Sequence, residues 1–131
     1  EEQRTEILNT IQEHTWEFSK NTSLDGEEIE RKTPIDESYI YFTKIANGDA
    51  YRVYFSKNTD FDYTDYKLYF FVGKIGNHHL LEFSKLNSAG EIISTTYKII
   101  YCNNTEIKFQ LLIGSSDEGV DYYTYYTKIA P

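Results

Sequence analysis

Residues that could do catalytic or metal chemistry are few in this sequence and widely separated. It contains three histidines, His14, His78 and His79, and one cysteine, Cys102. Neighbouring strand residues point to opposite faces of a sheet, so His78 and His79 do not form a simple metal-binding pair. A nucleophilic cysteine needs a histidine close in space, and Cys102 falls in a predicted hairpin loop. We therefore predict no metal site, no cofactor and no enzymatic activity.

A second group of polar residues lies in one predicted loop, where Asp60, Asp62 and Asp65 have the spacing of oxygen ligands. Calcium loops of the helix–loop–helix kind also need a glycine at the sharp turn and a distal glutamate. Neither residue is present here. We interpret the segment as a solvated acidic loop, with adventitious calcium binding as the alternative.

The aromatic residues carry the stronger functional signal: 13 tyrosines, 8 phenylalanines and 1 tryptophan in 131 residues. A mostly apolar pocket with a few polar groups is typical of small-molecule sites. One face of the predicted sheet has this character, so it could enclose a cavity for a small, mostly apolar ligand. The same rings could instead fill the interior as a solid core. The predicted ligand-binding residues are Tyr51, Phe55, Phe70, Phe83, Lys85, Thr95, Tyr97 and Phe109.

The opposite face of the predicted sheet is rich in aromatic residues as well. Exposed rings bring large contact area at small entropy cost, which suits recognition of proteins or glycans. The alternative function is therefore an interaction module, or a homo-oligomer, with a filled core. The predicted outer residues are Tyr39, Tyr41, Tyr54, Tyr69 and Phe71. Tyr123 and Tyr125 join them if that face of the last strand points outward, which the sequence leaves open because both faces of this strand are aromatic.

Composition narrows the choice of partners. The length fits a single domain over residues 1–131. The formal net charge is −8 and the pI is about 4.8, which argues against nucleic acid and against anionic lipid as partners. No apolar run approaches the roughly 20 residues that a membrane-spanning helix requires.

The elements that position these residues follow from periodicity and turn chemistry. Residues 2–13 predict a helix with Ile7, Leu8 and Ile11 on one apolar stripe, and we expect it to cover one end of a barrel. A period of two then predicts antiparallel strands. These lie near 15–20, 27–33, 37–45, 50–57, 66–75, 78–86, 91–101, 105–113 and 119–129.

The turns set the register of these strands. Asn47-Gly48, Gly76-Asn77 and a three-residue loop ending at Gly90 each keep one apolar face continuous. They place Phe42 opposite Val53, Phe70 opposite Phe83, and Phe83 opposite Thr95. A three-residue loop from Cys102, with Asn104 left-handed, places Tyr97 opposite Phe109 and Ile99 opposite Ile107. We predict an all-β fold, an antiparallel up-and-down meander closing into an eight- to nine-stranded barrel, because closure removes exposed sheet edges.

An early tryptophan on the first strand, preceded by a short helix and followed by an up-and-down barrel, resembles the lipocalin-like (calycin) superfamily. The segment His14-Thr15-Trp16 occupies the place of the family's Gly-x-Trp motif, with His14 where the family has glycine. Lys128 stands where the family has a basic residue over that tryptophan. The resemblance implies non-catalytic binding of a small hydrophobic molecule. It also implies a secreted or cell-envelope location, as in compact bacterial periplasmic and lipoprotein members. The lack of methionine fits either removal of a secretory signal or, equally, a chain trimmed for crystallisation.

Overall fold

A computed structural model of the chain describes residues 2–44, 51–62, 68–113 and 118–129. The predicted turn at Asn47-Gly48 and the third aspartate of the acidic loop, Asp65, lie outside these residues. The described elements are α1 (Glu2–Glu13), β1 (Thr15–Ser23), β2 (Glu28–Ile29), a 3₁₀ turn (Ile35–Glu37), β3 (Tyr39–Lys44), β4 (Tyr51–Ser56), β5 (Tyr69–Ile75), β6 (His78–Leu86), β7 (Ile92–Cys102), β8 (Glu106–Leu111) and β9 (Tyr122–Lys128).

Eight of these strands form a closed antiparallel barrel, as predicted. Strands β1 and β3 to β9 pair in that order, and β9 pairs with β1 to complete the circle. The short strand β2 is an addition that pairs only with the end of β1. Trp16 lies opposite Lys128 in the closing pair.

Most of the predicted register is confirmed. Phe42 lies opposite Val53, Phe70 opposite Phe83, and Phe83 opposite Thr95. Gly90 has φ of +80°, the left-handed conformation expected for the three-residue loop between β6 and β7. The apolar face therefore runs without interruption from β3 to β7.

The predicted register of the β7–β8 hairpin is wrong. Tyr97 pairs with Leu111 and Ile99 with Phe109, because the chain turns later than predicted: Cys102 stays in β7 opposite Ile107 instead of entering the loop, and the Asn103 N–H donates to the Glu106 carbonyl. A β-bulge between Ile99 and Tyr101 then offsets the register of β7 by one residue. Among the described residues only glycines have positive φ, so Asn104 is not left-handed.

Several other predicted strand boundaries are corrected. The first strand extends to Ser23, the strands predicted from 66 and 119 begin at Tyr69 and Tyr122, and the strand predicted to end at 113 ends at Leu111. The predicted strand 27–33 is reduced to Glu28–Ile29, and the next strand begins at Tyr39 instead of residue 37. Between them the chain leaves the sheet and makes the 3₁₀ turn that follows Pro34. Side-chain oxygens, rather than a neighbouring strand, hold this segment: the Asn21 Oδ1 accepts the backbone N–H of Lys32 at 2.6 Å.

Helix α1 closes one end of the barrel, as predicted. It contacts β3, β5 and β7, strands that lie on different sides of the circle, and it buries Leu8 and Ile11. The Trp16 indole N–H donates to the Ile11 carbonyl at 3.0 Å, and Arg4 Nε donates to the Val72 carbonyl at 2.5 Å. These two hydrogen bonds attach the helix to the barrel. A helix of only three turns would be marginally stable without such tertiary contacts.

The interior near the helix is filled by side chains. Phe42 packs edge-on against Phe70, with ring centroids 5.0 Å apart, and Trp16 is fully buried. The buried cluster consists of Leu8, Ile11, Trp16, Ile40, Phe42, Val53, Phe70, Val72, Leu81, Phe83, Ile99, Ile107, Phe109 and Tyr126. The cluster therefore fills the interior beneath the helix, and four of its members, Ile40, Phe83, Phe109 and Tyr126, border the space that remains at the opposite end.

Candidate ligand-binding site

The end of the barrel opposite α1, which we call the mouth, contains a cavity of about 290 Å³. Its walls are the mouth-side ends of the strands together with the segment that precedes β3. Aromatic rings, threonines and one carboxyl line it. The lining residues are Lys32, Thr33, Pro34, Glu37, Ile40, Phe55, Phe83, Thr95, Tyr97, Phe109, Leu111, Tyr122, Thr124 and Tyr126.

A chain of ring contacts forms the aromatic wall of the cavity. The ring centroids of Phe83 and Tyr97 are 5.5 Å apart, and those of Tyr97 and Phe109 are 4.8 Å apart. The Phe109 ring then stacks on that of Tyr126 at 5.5 Å. Since these separations lie in the range of favourable aromatic pairs, each ring fixes the orientation of the next. The wall is pre-formed.

A second space of about 190 Å³ adjoins the first and shares five lining residues with it, among them Glu37, Phe83 and Tyr97. It extends toward Lys85 and Ile93 on the exposed rim. Glu37 and the shared rings therefore border both spaces.

Glu37 is the carboxyl group of the cavity. Burial, and secondarily the charge of Asp36, raises its pKa above the ordinary value. Its backbone carbonyl accepts the Tyr126 hydroxyl at 2.6 Å, which ties the 3₁₀ turn to β9. Burial first, and the Glu37 charge next, raises the pKa of Tyr126 and of Tyr97. These phenols thus stay protonated and can donate hydrogen bonds.

The segment that closes one side of the mouth is held from inside the barrel by Asn21. This residue is 1% exposed. Its amide nitrogen donates to the Tyr123 carbonyl and to Thr124 Oγ1, at 3.2 and 3.0 Å. Its oxygen accepts the N–H groups of Lys32 and Thr33, which line the cavity. Asn21 thereby joins β9 to the segment that carries Lys32 and Thr33.

The structure brings together most, but not all, of the residues predicted for the site. Phe55, Phe83, Thr95, Tyr97 and Phe109 line the main cavity, and Lys85 lines the adjoining space. Tyr51 and Phe70 do not line either space. They pack against each other, with ring centroids 5.4 Å apart, toward the helix-capped end. Alternation along a strand predicts which face a residue joins, but it does not predict height along the barrel axis.

Several lining residues were missed by the sequence reasoning. Tyr122, Thr124 and Tyr126 belong to β9, whose two faces are both aromatic in sequence, so alternation could not separate them. The structure turns these three inward, while Tyr123 and Tyr125 face outward beside Lys108, whose ammonium lies 4.3 Å from the Tyr123 ring centroid. Glu37 was missed because it falls in a predicted strand, although Pro34 just before it signals a turn.

The outer aromatic face is less exposed than predicted. Tyr54 and Tyr125 are buried: the Tyr54 ring stacks on that of Tyr41, and the Lys108 ammonium lies 5.3 Å from the Tyr125 ring centroid. Tyr39, Tyr41 and Tyr123 are half-buried. Only Tyr69 and Phe71 of the predicted set are exposed, at 38% and 54%. They lie on the same strand but on either side of the inward-pointing Phe70.

Cys102 and His79 both line a separate cleft of about 320 Å³ between α1 and the barrel wall. Burial raises the pKa of the Cys102 thiol to about 12. Burial and the charge of Lys74 lower the pKa of His79. The thiol is therefore protonated near neutral pH, and a protonated thiol is a poor nucleophile.

Comparison of the chain with protein-family models, with curated proteins and with solved structures found no match. Within residues 2–44, 51–62, 68–113 and 118–129, no helix has the length and apolar character needed to cross a bilayer. Over the same ranges, no cluster of three or more histidine, cysteine or carboxylate side chains is placed to hold a metal ion.

Proposed function

We propose that this protein binds a small, mostly apolar molecule in the mouth cavity and does not act on it chemically. The observation that supports this most is the uneven filling of the barrel. Side chains pack the interior beneath α1, whereas about 290 Å³ stays open at the mouth, bordered by aromatic rings. The barrel and its capping helix also support a relationship to lipocalin-like proteins.

The dimensions of the cavity are in keeping with a ligand of one or two rings. An apolar cavity of about 150 Å³ is enough to hold benzene, and ligand sites start at about 300 Å³. The cavity of about 290 Å³ therefore suits a compact ligand, and the adjoining 190 Å³ gives room for a substituent or short tail.

The test is a fluorescence titration with N-phenyl-1-naphthylamine, an uncharged probe at neutral pH that brightens in apolar surroundings. We expect saturable binding to the native protein. Phe83→Trp enlarges a ring that lines both spaces and should weaken binding at least about fivefold, which corresponds to about 1 kcal/mol of crowding.

Phe71→Trp is the matched control, because it makes the same exchange on the exposed outer face, and probe affinity should not change. Urea unfolding of both variants separates crowding of the cavity from loss of the fold. Absence of saturable binding, or equal affinity in Phe83→Trp and the native protein, would contradict the proposal.

A second candidate is the interaction module with a filled core. It is favoured by the exposure of Tyr69 and Phe71 on β5, with the Arg4 guanidinium 5.4 Å from the Phe71 ring centroid. Sedimentation equilibrium distinguishes it from the first. Self-association that is lost in Phe71→Ser, in a protein that binds no apolar probe, would support this function instead.

A further inference from the structure

The mouth end of the barrel carries an excess of acidic residues. Four described segments join or extend strands at the mouth: residues 24–38, 57–62, 85–91 and 118–121. Their basic residues are Arg31, Lys32, Lys57 and Lys85. Their acidic residues are Asp25, Glu27, Glu28, Glu30, Asp36, Glu37, Asp60, Asp62, Glu91, Glu118 and Asp121. A mouth with this excess of carboxylates attracts cations and repels anions.

Inside the mouth, one residue also favours a cationic ligand. Glu37 is the one carboxyl among the residues lining the main cavity, and it is partly withdrawn from water. Lys32 and Lys85 also line the two spaces, but both side chains are exposed and solvated at the rim. A charge that is desolvated interacts more strongly with a ligand than one that water screens.

The nearby arginine does not neutralise this carboxyl by direct contact. Arg31 donates to the carbonyls of Thr33 and Pro34 and to Ser38 Oγ, at 2.7, 3.2 and 2.7 Å. Its guanidinium also lies 4.2 Å from the Phe18 ring centroid. The guanidinium is thus engaged in holding the loop together rather than in pairing with the Glu37 carboxylate.

The rings around Glu37 complete a site of defined chemistry. Phe55, Phe83, Tyr97, Phe109, Tyr122 and Tyr126 all line the cavity together with it. The face of an aromatic ring carries a negative quadrupole, so it attracts an ammonium group, and it does so more strongly when water is excluded. A carboxylate surrounded by aromatic rings combines two attractions for a cation with an apolar surface for the rest of the molecule.

We propose that the ligand of the mouth cavity is an organic ammonium ion, an aromatic or short aliphatic amine whose charged nitrogen lies against Glu37. This inference rests on the binding function proposed above and specifies its ligand class. A neutral ligand would leave the Glu37 charge partly desolvated without a partner, and a carboxylate ligand would place two negative charges in one site.

The experiment compares three ligands with similar phenyl-bearing skeletons and different charge: phenethylammonium, 2-phenylethanol and 3-phenylpropanoate. Each is titrated against the protein loaded with N-phenyl-1-naphthylamine, at neutral pH and low ionic strength. We expect phenethylammonium to displace the probe at a concentration at least about tenfold lower than 2-phenylethanol. The carboxylate should be the weakest of the three.

Glu37→Gln tests whether the Glu37 carboxylate gives the preference for the amine. It should abolish the preference for the amine, so that phenethylammonium and 2-phenylethanol displace the probe at concentrations within about twofold of each other. Asp36→Asn is the control, because it removes the adjacent charge from a side chain that does not line the cavity, and most of the preference should survive. Circular dichroism confirms the fold of each variant.

The outcomes separate the two proposals. Equal or tighter binding of the alcohol or the carboxylate to the native protein would overturn the amine inference and leave the binding function intact. The same holds if Glu37→Gln keeps the full preference for the amine while remaining folded. If the native protein binds neither the probe nor any of the three ligands, both proposals are wrong.

Discussion

Replacement of Asn21 by alanine should destabilise the protein far more than the loss of one polar side chain usually does. Asn21 is buried and joins three parts of the chain: β1, on which it lies, β9, and the segment that carries Lys32 and Thr33. Alanine removes both N–H donors and the carbonyl acceptor. The backbone N–H of Lys32 then loses a bond of 2.6 Å, and the Thr124 hydroxyl loses one of 3.0 Å.

The magnitude follows from the number and quality of these hydrogen bonds. An intramolecular hydrogen bond contributes about 0.5–1.5 kcal/mol net, and a buried group left unsatisfied costs about 1–3 kcal/mol. Two of the four bonds, at 3.2 and 3.3 Å, are longer and contribute less. We therefore expect Asn21→Ala to lower the free energy of unfolding by about 2–4 kcal/mol, a large part of the 5–15 kcal/mol typical of a domain.

Asn103→Ala provides a matched comparison. The Asn103 oxygen accepts the N–H groups of Thr105 and Glu106, at 2.9 and 3.0 Å, but the residue is exposed in the turn between β7 and β8. Water can replace these bonds, so we expect a loss below about 1 kcal/mol. Urea denaturation monitored by tyrosine and tryptophan fluorescence measures both variants.

Hydrogen exchange locates the effect. In Asn21→Ala the amides of Lys32 and Thr33 should lose protection before the rest of the barrel, because their acceptor is gone. Binding of the apolar probe should weaken as well, since both residues line the cavity. Equal destabilisation by Asn21→Ala and Asn103→Ala, within about 0.5 kcal/mol, would refute the reasoning that burial gives this amide its importance.

Three further predictions concern the capping helix, alkaline pH and a turn. Trp16→Phe removes the indole N–H that donates to Ile11 and should cost about 2–3 kcal/mol in urea denaturation, with loss of helical circular dichroism first; an unchanged helix signal would contradict this. Burial raises the pKa of Tyr97 from 10.0. The folded state therefore favours the neutral phenol, and the stability that this gives is present below pH 10 and is lost as the pH rises further. An ultraviolet tyrosinate titration should show ionisation of Tyr97 only with unfolding, and ionisation of Tyr97 in the folded protein would contradict its burial. Gly90→Ala should cost about 1 kcal/mol in thermal denaturation and Gly90→Asn less, because φ of +80° disfavours alanine while no atom lies within 4 Å of the new Cβ; equal losses would refute the φ argument.

Local rules acting on short stretches of sequence predicted much of the fold. The apolar stripe of residues 2–13 predicted α1, and Gly76-Asn77 and Gly90 predicted two hairpins with their register. Such features depend on residues close in sequence, because turn geometry and the alternation of side chains are local properties of the backbone. Closure into a barrel followed from the need to pair two sheet edges.

The candidate site was predicted only in part, and bulges explain a share of what was missed. Between Phe18 and Lys20 an extra residue shifts the β1–β9 register, so that Asn21 points inward where simple alternation expects Lys20 or Thr22. A second bulge, between Ile99 and Tyr101, turns Cys102 instead of Tyr101 toward the core. A bulge inverts the inward and outward positions that follow it, and alternation cannot place one in advance.

The sequence by itself determined that this chain forms a closed antiparallel barrel with a helical cap and an aromatic interior, because periodicity, turn residues and apolar faces agree with one another. Only the tertiary structure decided how that interior is divided between packed core and open cavity. It also decided that Glu37 and β9 line the open part. Both outcomes depend on the volumes of side chains that meet from distant strands, and no stretch of neighbouring residues contains that information.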